Sequence, residues 1–516
     1  MNFFIGLLFL VVYWIIGYDG ITFSDDVYYI QAGKRFWQGT MEVNDYHFSS
    51  RWGAYVPSGL IGFIFGYRPH LMSIVSLISY SLTLYLLAKI LPRSSPSWVL
   101  VLWVCTHVYF LHFLTKVYPD GLLVLFACLV PYGSIRRKDT PILSGIILVA
   151  GLFLGFLTKE TIVLLAPFPI LLWCLDKRNN QINWKFYLTI ICFGLLLASF
   201  YLTFFWFKIG DPLHRISSIN AGHYISEFTY ADKGIGSIIK RLTILPIVAF
   251  VERSYWAWIV FALPAIAIAK KTLTSPITEF SIAFLCLLVG FWFMTSTLEF
   301  YNPIYLNPRH LIIIIPILSF LIACGWGYWQ KSMFWTKLMI ALLLLGTVIS
   351  VVLYDWKMAA FYTALAFVVK FHKFKFQKQM LILLLTFPAI FAIFYQKQLK
   401  HYEQLVSALK EEGLTSDSNS LLVTNNFLEF SKHTMYPLEP QVTQKLHGLD
   451  YLLDTANMTS ERIVLLLYPY YTHAYPQEQV EIDSLKKLLS SKGYVLTDDK
   501  VSGILSKEIY LLLSTD

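Results

Sequence analysis

Residues 3–40 read FFIGLLFLVVYWIIGYDGITFSDDVYYIQAGKRFWQGT. The run 3–17 is uncharged and close to the length that crosses a bilayer as helix. No basic flank precedes it and no small-residue cleavage site follows, so it reads as a retained span and not a removed leader. Past it, Ser24-Asp25-Asp26 opens an aromatic, amphipathic segment ending near Gly39. Two adjacent carboxylates straight after a span suggest a reaction site at the outer membrane–water boundary. Like charges side by side do not both ionise cheaply, so one of the two suits a general base. The same residues also read as a helix N-cap with acid in the first turn, and the two roles are compatible.

The remainder of the chain repeats the apolar pattern. It is 56% hydrophobic and only 14% charged over 516 residues, whereas soluble domains carry about 25% charged residues. That excludes a cytosolic enzyme, a disordered scaffold and a secreted disulfide module. Spans are expected near 3–17, 69–91, 98–115, 119–134, 141–158, 161–175, 186–207, 243–269, 278–298, 309–329, 334–354, 356–370 and 379–395, about thirteen in all. Residues 1–395 hold 30 Lys and Arg against 16 Asp and Glu, while 396–516 hold 11 against 16. The basic balance therefore belongs to loops of a membrane body and does not point to nucleic acid.

Cations mass on one set of short loops, including Lys89, Arg93, Arg136, Arg137, Lys138, Lys177, Arg178, Lys270, Lys271, Lys370 and Lys373. The alternate loops hold few: Lys116, Lys159, Arg309 and Lys357. The richer side is expected to be cytoplasmic. With an odd number of spans, the hydrophilic stretches 18–68 and 208–242 and the tail 396–516 are then expected on the outer face. The tail reads as a small α/β domain. Its strands are expected at Leu421–Thr424, Ile463–Tyr468, Tyr494–Leu496 and Ile509–Leu513, with helices at 399–412 and 476–491. All six cysteines lie in apolar runs, without metal-ligand or disulfide spacing. The expected class is an all-α polytopic bundle with a small extracytoplasmic α/β domain.

The segment SDDVYYIQAGKRFWQG over 24–39 resembles the first-loop signature of polyprenol-phosphate-sugar-dependent glycosyltransferases of the GT-C fold. That superfamily includes the bacterial aminoarabinose transferase and the protein O-mannosyltransferases. Three further matches follow in order. Lys116-Val117-Tyr118-Pro119-Asp120-Gly121 resembles the junction between spans three and four. Leu157-Thr158-Lys159-Glu160 resembles the Leu-Thr-Lys turn between spans five and six. Asn307-Pro308-Arg309-His310-Leu311 resembles the late outer arginine. The likeness covers residues 1–330, and the tail matches nothing in it. Two departures stand out: the family's Pro-Pro pair appears only as Val56-Pro57-Ser58, and Lys116 stands where many members have Arg.

The resemblance implies Asp25 as catalytic base, Asp26 orienting the helix or the acceptor, and Asp120 as a second outer acid. An N-cap is the plainer reading of Asp120, which follows Pro119 at a helix start. Arg309, Lys159, Lys116 and Arg51 are the candidates for the donor phosphate, Arg offering a bidentate fork and Lys a point charge. Each of these also reads as a cation snorkelling to lipid headgroups, and Lys159 could instead pair with Glu160 or Asp120. Tyr28, Tyr29, Glu160 and His310 are candidates to line the sugar or acceptor, the tyrosines equally fitting an interfacial belt. His47 and Asp45 lack further ligands for a metal, so neither a metal nor a cofactor is expected. The 208–242 stretch, with Lys208, Arg215, Asp211 and Glu227, reads as a mobile lid.

The expected reaction is transfer of a sugar from a polyprenyl-phosphate donor, with inversion, to a glycan, lipid or protein acceptor on the outer face. A transporter or flippase for a lipid-linked glycan, or a ligase using pyrophosphate-linked donors, is the alternative. Transporters place ionisable residues deep in their spans; here the acids cluster at outer helix ends.

Overall fold

The computed structural model describes the chain except residues 222–228, 273–275, 417–418, 455–457, 459, 503 and 513–516. Glu227 and Leu513 therefore lie outside the described residues. Two compact units emerge. The first comprises Met1–Ile16, Met41–Pro57 and Ile74–Phe391; the second comprises Gly17–Thr40, Ser58–Ser73 and Ala392–Asp516.

The first unit is helical. Among the described residues, five helices are long and apolar enough to cross a bilayer, including Pro141–Thr158, Trp184–Ile209 and Met333–Val352. Trp184–Ile209 has only 11% of its apolar window buried, with Leu188, Ile191, Leu195 and Phe200 exposed along it. An apolar helix this bare is stable only with lipid around it. The protein is a membrane protein.

Two expected spans are broken. Residues 98–115 form Ser97–Cys105 and Val108–Leu114, bent by 70°, and 243–269 form Leu245–Glu252 and Tyr255–Ala269, bent by 103°. Non-helical backbone at membrane depth must be satisfied by protein, and here the two breaks satisfy each other. The His107 ring accepts from the Phe110 amide and lies 3.2 Å from the Ser254 hydroxyl. Trp258 donates to the Trp103 carbonyl at 2.9 Å. The run 161–175 is also not one helix: a 3-10 turn over Glu160–Leu165 precedes an eleven-residue helix, Phe168–Arg178, about 16 Å long.

Arg137, expected among the solvated loop cations, is buried. It donates to both oxygens of Asp176 at 2.7 Å and to Glu279 at 2.6 Å. It ties three helices together, and the positive loop loses one of its charges.

In the second unit the tail forms a five-stranded sheet in the order β2-β1-β3-β5-β4. The strands are β1 (Ser420–Thr424), β2 (Leu446–Gly448), β3 (Arg462–Leu467), β4 (Tyr494–Ser502) and β5 (Leu505–Leu512). β1 runs parallel to β2 and β3, while β5 is antiparallel to both β3 and β4. The helix Glu478–Ser491 covers one face with Ile482, Leu485 and Leu489. Among the described strands, β2, three residues long, has no counterpart in the expected pattern; nor does the helix Asn426–Met435, and β4 and β5 run further than expected, to Ser502 and from Leu505.

This unit extends beyond 396–516. Its other parts are the helix following the first span, Asp25–Trp37 (α1), and the segment 58–73. Phe23 is buried among Tyr402, Phe427, Tyr468 and Tyr470. Lys400 pairs with Asp19 at 3.0 Å. Gly20, at φ +93, lies so close to Tyr402 that a Cβ would meet the ring at 2.1 Å.

Candidate functional site

In the first unit, three of the expected residues converge. The helix Pro119–Ser134 starts with Asp120 in its first turn. It begins there because Pro119 fits the first helical position and Gly121 permits contact with Ser76, whose Oγ would lie 2.4 Å from a Cβ. Asp120 is fully buried. Its Oδ1 accepts from Lys159 Nζ at 2.7 Å, and its Oδ2 lies 3.7 Å from Arg309 Nε, beyond hydrogen-bond reach. Lys159 follows the last residue of Pro141–Thr158 and is extended, at φ −161. Arg309 sits in a single turn, Pro308–Leu311, capped by the Asn307 side chain at 3.0 Å, and its guanidinium lies 5.0 Å from the Tyr118 ring centroid.

Beside Lys159, Glu160 takes two arginines. Arg51 grips it with Nε at 3.1 Å and with Nη2, and Arg215 Nη2 reaches it at 3.0 Å. Burial raises the Glu160 carboxyl, but Arg51 and then Arg215 outweigh this and hold it well below the usual range. Burial also pulls the Lys159 ammonium down to about 8; Asp120 opposes the shift, while Arg309 and Arg51 add to it. Four cations therefore surround two carboxylates. The cluster holds an excess of positive charge in a mostly buried setting, an arrangement suited to a doubly charged anion.

Of the other expected phosphate ligands, Lys116 is buried, and Arg51 spends its fork on Glu160. His310 is half-buried, its Nδ1 3.3 Å from the Tyr305 carbonyl. Arg215 was expected in a mobile lid. Instead it is buried at 2% exposure, and Arg241 is likewise anchored, donating to the carbonyls of Phe291 and Ile304 at 2.9 and 2.7 Å. The described ends of that stretch are fastened and do not form a free flap. Arg215 also lines an apolar groove of about 400 Å³, walled by Phe153, Phe156, Ile190, Leu197 and Tyr201.

In the second unit, Asp26 is buried. It accepts from the Thr22 amide and hydroxyl, both at 2.7 Å, and from the amides of Ser24 at 3.2 Å and Val27 at 3.0 Å. It thus shapes the turn that presents Asp25, which is half-buried. Phe23, just before it, has φ +57, a strained value for a bulky residue. Its carbonyl accepts from the Tyr475 hydroxyl at 2.8 Å. Ser24 makes no side-chain cap. Tyr28 is half-buried, and Tyr29 is 0% exposed, so its ring offers no free face to a sugar. Among the described residues, no group of three or more His, Cys, Asp or Glu is placed to hold a metal ion.

The fold, apolar helices with a small α/β tail, is similar to that of solved membrane-protein structures. The chain is similar to ArnT, the aminoarabinose transferase, from Cupriavidus metallidurans in the apo state, with 12% identity and a TM-score of 0.61 over 99% of this chain and 98% of that one. It is also similar to the structure of that protein bound to undecaprenyl phosphate, with 11% identity and a TM-score of 0.58 over the same shares. No family model matches the sequence, and no curated protein matches it significantly.

Proposed function

We propose that the protein is an integral-membrane glycosyltransferase moving a sugar from a polyprenyl-phosphate donor to an acceptor hydroxyl on the outer face of the plasma membrane. The observation that carries the reading is the excess of cations around Asp120 and Glu160. A departing polyprenyl phosphate gathers negative charge as the glycosidic bond breaks, and preset cations in a dry site are worth most at that moment. The apolar groove that Arg215 helps to line suits a polyprenyl chain. The fold likeness to ArnT, one structure of which holds undecaprenyl phosphate, supports the same donor class.

In this reading the acceptor oxygen attacks the anomeric carbon from the side opposite the phosphate, giving inversion. Asp25 takes the hydroxyl proton, and the bonding pair leaves with the phosphate. Arg309 and Lys159 receive that charge, held in place by Asp120, while Arg51 and Arg215 keep Glu160 ionised beside them. Lys116 adds a further cation, His310 and Tyr28 line the sugar or acceptor, and Asp26 keeps the Asp25 turn in shape. Charge neutralisation falls to these side chains, and the mechanism calls on no metal or cofactor. The acceptor is a glycan, a lipid or a protein hydroxyl.

The test is transfer from a radiolabelled donor to extracted envelope acceptors by reconstituted protein. Asp25→Asn should cost on the order of 10²–10⁴ in rate with donor affinity and thermal midpoint retained. Near wild-type transfer by that variant overturns the mechanism. Activity only with a pyrophosphate-linked donor overturns the donor class.

A further inference from the structure

The second unit contains a cavity of about 320 Å³ lined by Gln31, Lys34, Arg35, Tyr67 and His433, among others. Its walls come from the last turns of α1, from the 58–73 segment and from the tail helix Asn426–Met435. The two elements meet directly, Gln31 donating to the Thr434 hydroxyl at 3.4 Å. Cations in the last turn of a helix are favoured by its dipole, which accounts for Lys34 and Arg35 being there but not for a cavity around them.

The charged groups of the lining, Lys34 and Arg35, favour an anion. Among the described residues lining the cavity there is no carboxylate. The nearby Glu429 is taken by Lys432 at 3.0 Å. Lys34 lies 5.7 Å from the Tyr67 ring centroid. Among the described residues the buried Tyr67 hydroxyl has no hydrogen-bond partner, a donor left idle at a cost unless something accepts from it. Partial burial and Lys432 depress the His433 pKa; Glu429 opposes, and Lys34 and Arg35 add to the depression. Lys34 and Arg35 are thus close enough to act on the ring, after burial as the main cause.

Phe36, next to Arg35 on α1, and Phe63, Ile64 and Phe65, shortly before Tyr67 in the chain, are all exposed, and Trp37 stacks on Phe63 at 6.0 Å. A cationic hollow whose lining residues are neighboured in the chain by bare aromatic and aliphatic side chains matches an amphiphile with an anionic head.

We propose that this hollow binds the phosphodiester head of an anionic membrane phospholipid, with Lys34, Arg35 and Tyr67 as its ligands and the Phe36/Phe63–Phe65 surface against the acyl chains. The site is separate from the transfer chemistry and stands whatever the reaction proves to be. The occupied hollow clamps the C-terminal end of α1 to the tail and to the lipid surface.

The experiment uses the full chain in a neutral detergent, titrated with phosphatidylglycerol, phosphatidylcholine or glycerophosphate, with the thermal midpoint as readout. Phosphatidylglycerol should raise the midpoint saturably, and phosphatidylcholine should not. K34Q/R35Q should weaken the apparent affinity about twenty-five-fold, at about fivefold per cation. Y67F, which deletes one oxygen, should weaken it about fivefold, and it carries the test alone if the double variant misfolds. K487Q/K492Q removes the same charge from exposed positions of the tail and should bind as the native chain does. Native affinity in Y67F, or equal loss in K487Q/K492Q, overturns the site. The full shift with glycerophosphate alone overturns the assignment to lipid.

Discussion

Raising the pH through 8 should loosen the grip on a phosphate donor, because Lys159 surrenders its proton there. Burial brings its ammonium from the ordinary 10.5 down to about 8, with Arg309 and Arg51 pushing the same way against Asp120. At pH 7 about 90% of Lys159 carries its charge, and at pH 9 about 10%. If only the ammonium binds phosphate, Kd rises about tenfold over that interval, or about 1.4 kcal/mol. A lysine at its ordinary value would lose only a few per cent of its charge. Stability moves the other way. The folded pKa lies below the unfolded one, so between about 8 and 10.5 the unfolded chain holds more protons and the Lys159 contribution to stability rises with pH. Weaker binding is then separable from unfolding. The assay titrates purified protein with undecaprenyl phosphate from pH 7 to 9 by intrinsic fluorescence, with a thermal midpoint at each pH. Lys159→Arg keeps its charge throughout and should give a flat profile. A wild-type Kd constant over this range, or an unchanged alkaline limb in Lys159→Arg, refutes the reasoning.

Glu160→Gln leaves Arg51 and Arg215 buried without their anion, and should destabilise the protein by about 3 kcal/mol, read as a lower denaturation midpoint. Tyr475→Phe removes the donor to the Phe23 carbonyl; it should cost about 1 kcal/mol and lower kcat while donor Kd stays constant, because the strained turn before Asp25 loses a tether. Gly20→Ala combines a disfavoured φ with a Cβ inside the Tyr402 ring, and should loosen the second unit by about 2–4 kcal/mol, seen as faster proteolysis of the tail.

Much of this arrangement is written locally in the chain. Asp120, Lys159 and Arg309 each stand at the end of an apolar run beside a proline or an extended turn, a signal visible without any tertiary knowledge. The strands of the tail announce themselves as short apolar runs, and β2, at three residues, is too short to do so. What local pattern could not reveal were the partners. Arg137 looks like a loop cation until Asp176 and Glu279, 39 and 142 residues away, meet it. Arg215 sits in a hydrophilic stretch, and only its apolar neighbours Leu213 and Ile216 hint that it turns inward. The broken spans were hidden for a similar reason. A hydropathy window averages over His107 and Ser254, whereas the bends arise from one ring capping a helix and one residue at φ +64.

The pairing of Phe23 with Tyr475 has a consequence for biosynthesis. The two partners are 452 residues apart, and ribosomes add about 5–20 residues per second. For roughly twenty seconds to a minute and a half, the nascent first loop waits with the Phe23 carbonyl untethered. The turn before Asp25, shaped locally by Asp26, therefore gains its Tyr475 tether only once the chain has been made as far as the tail.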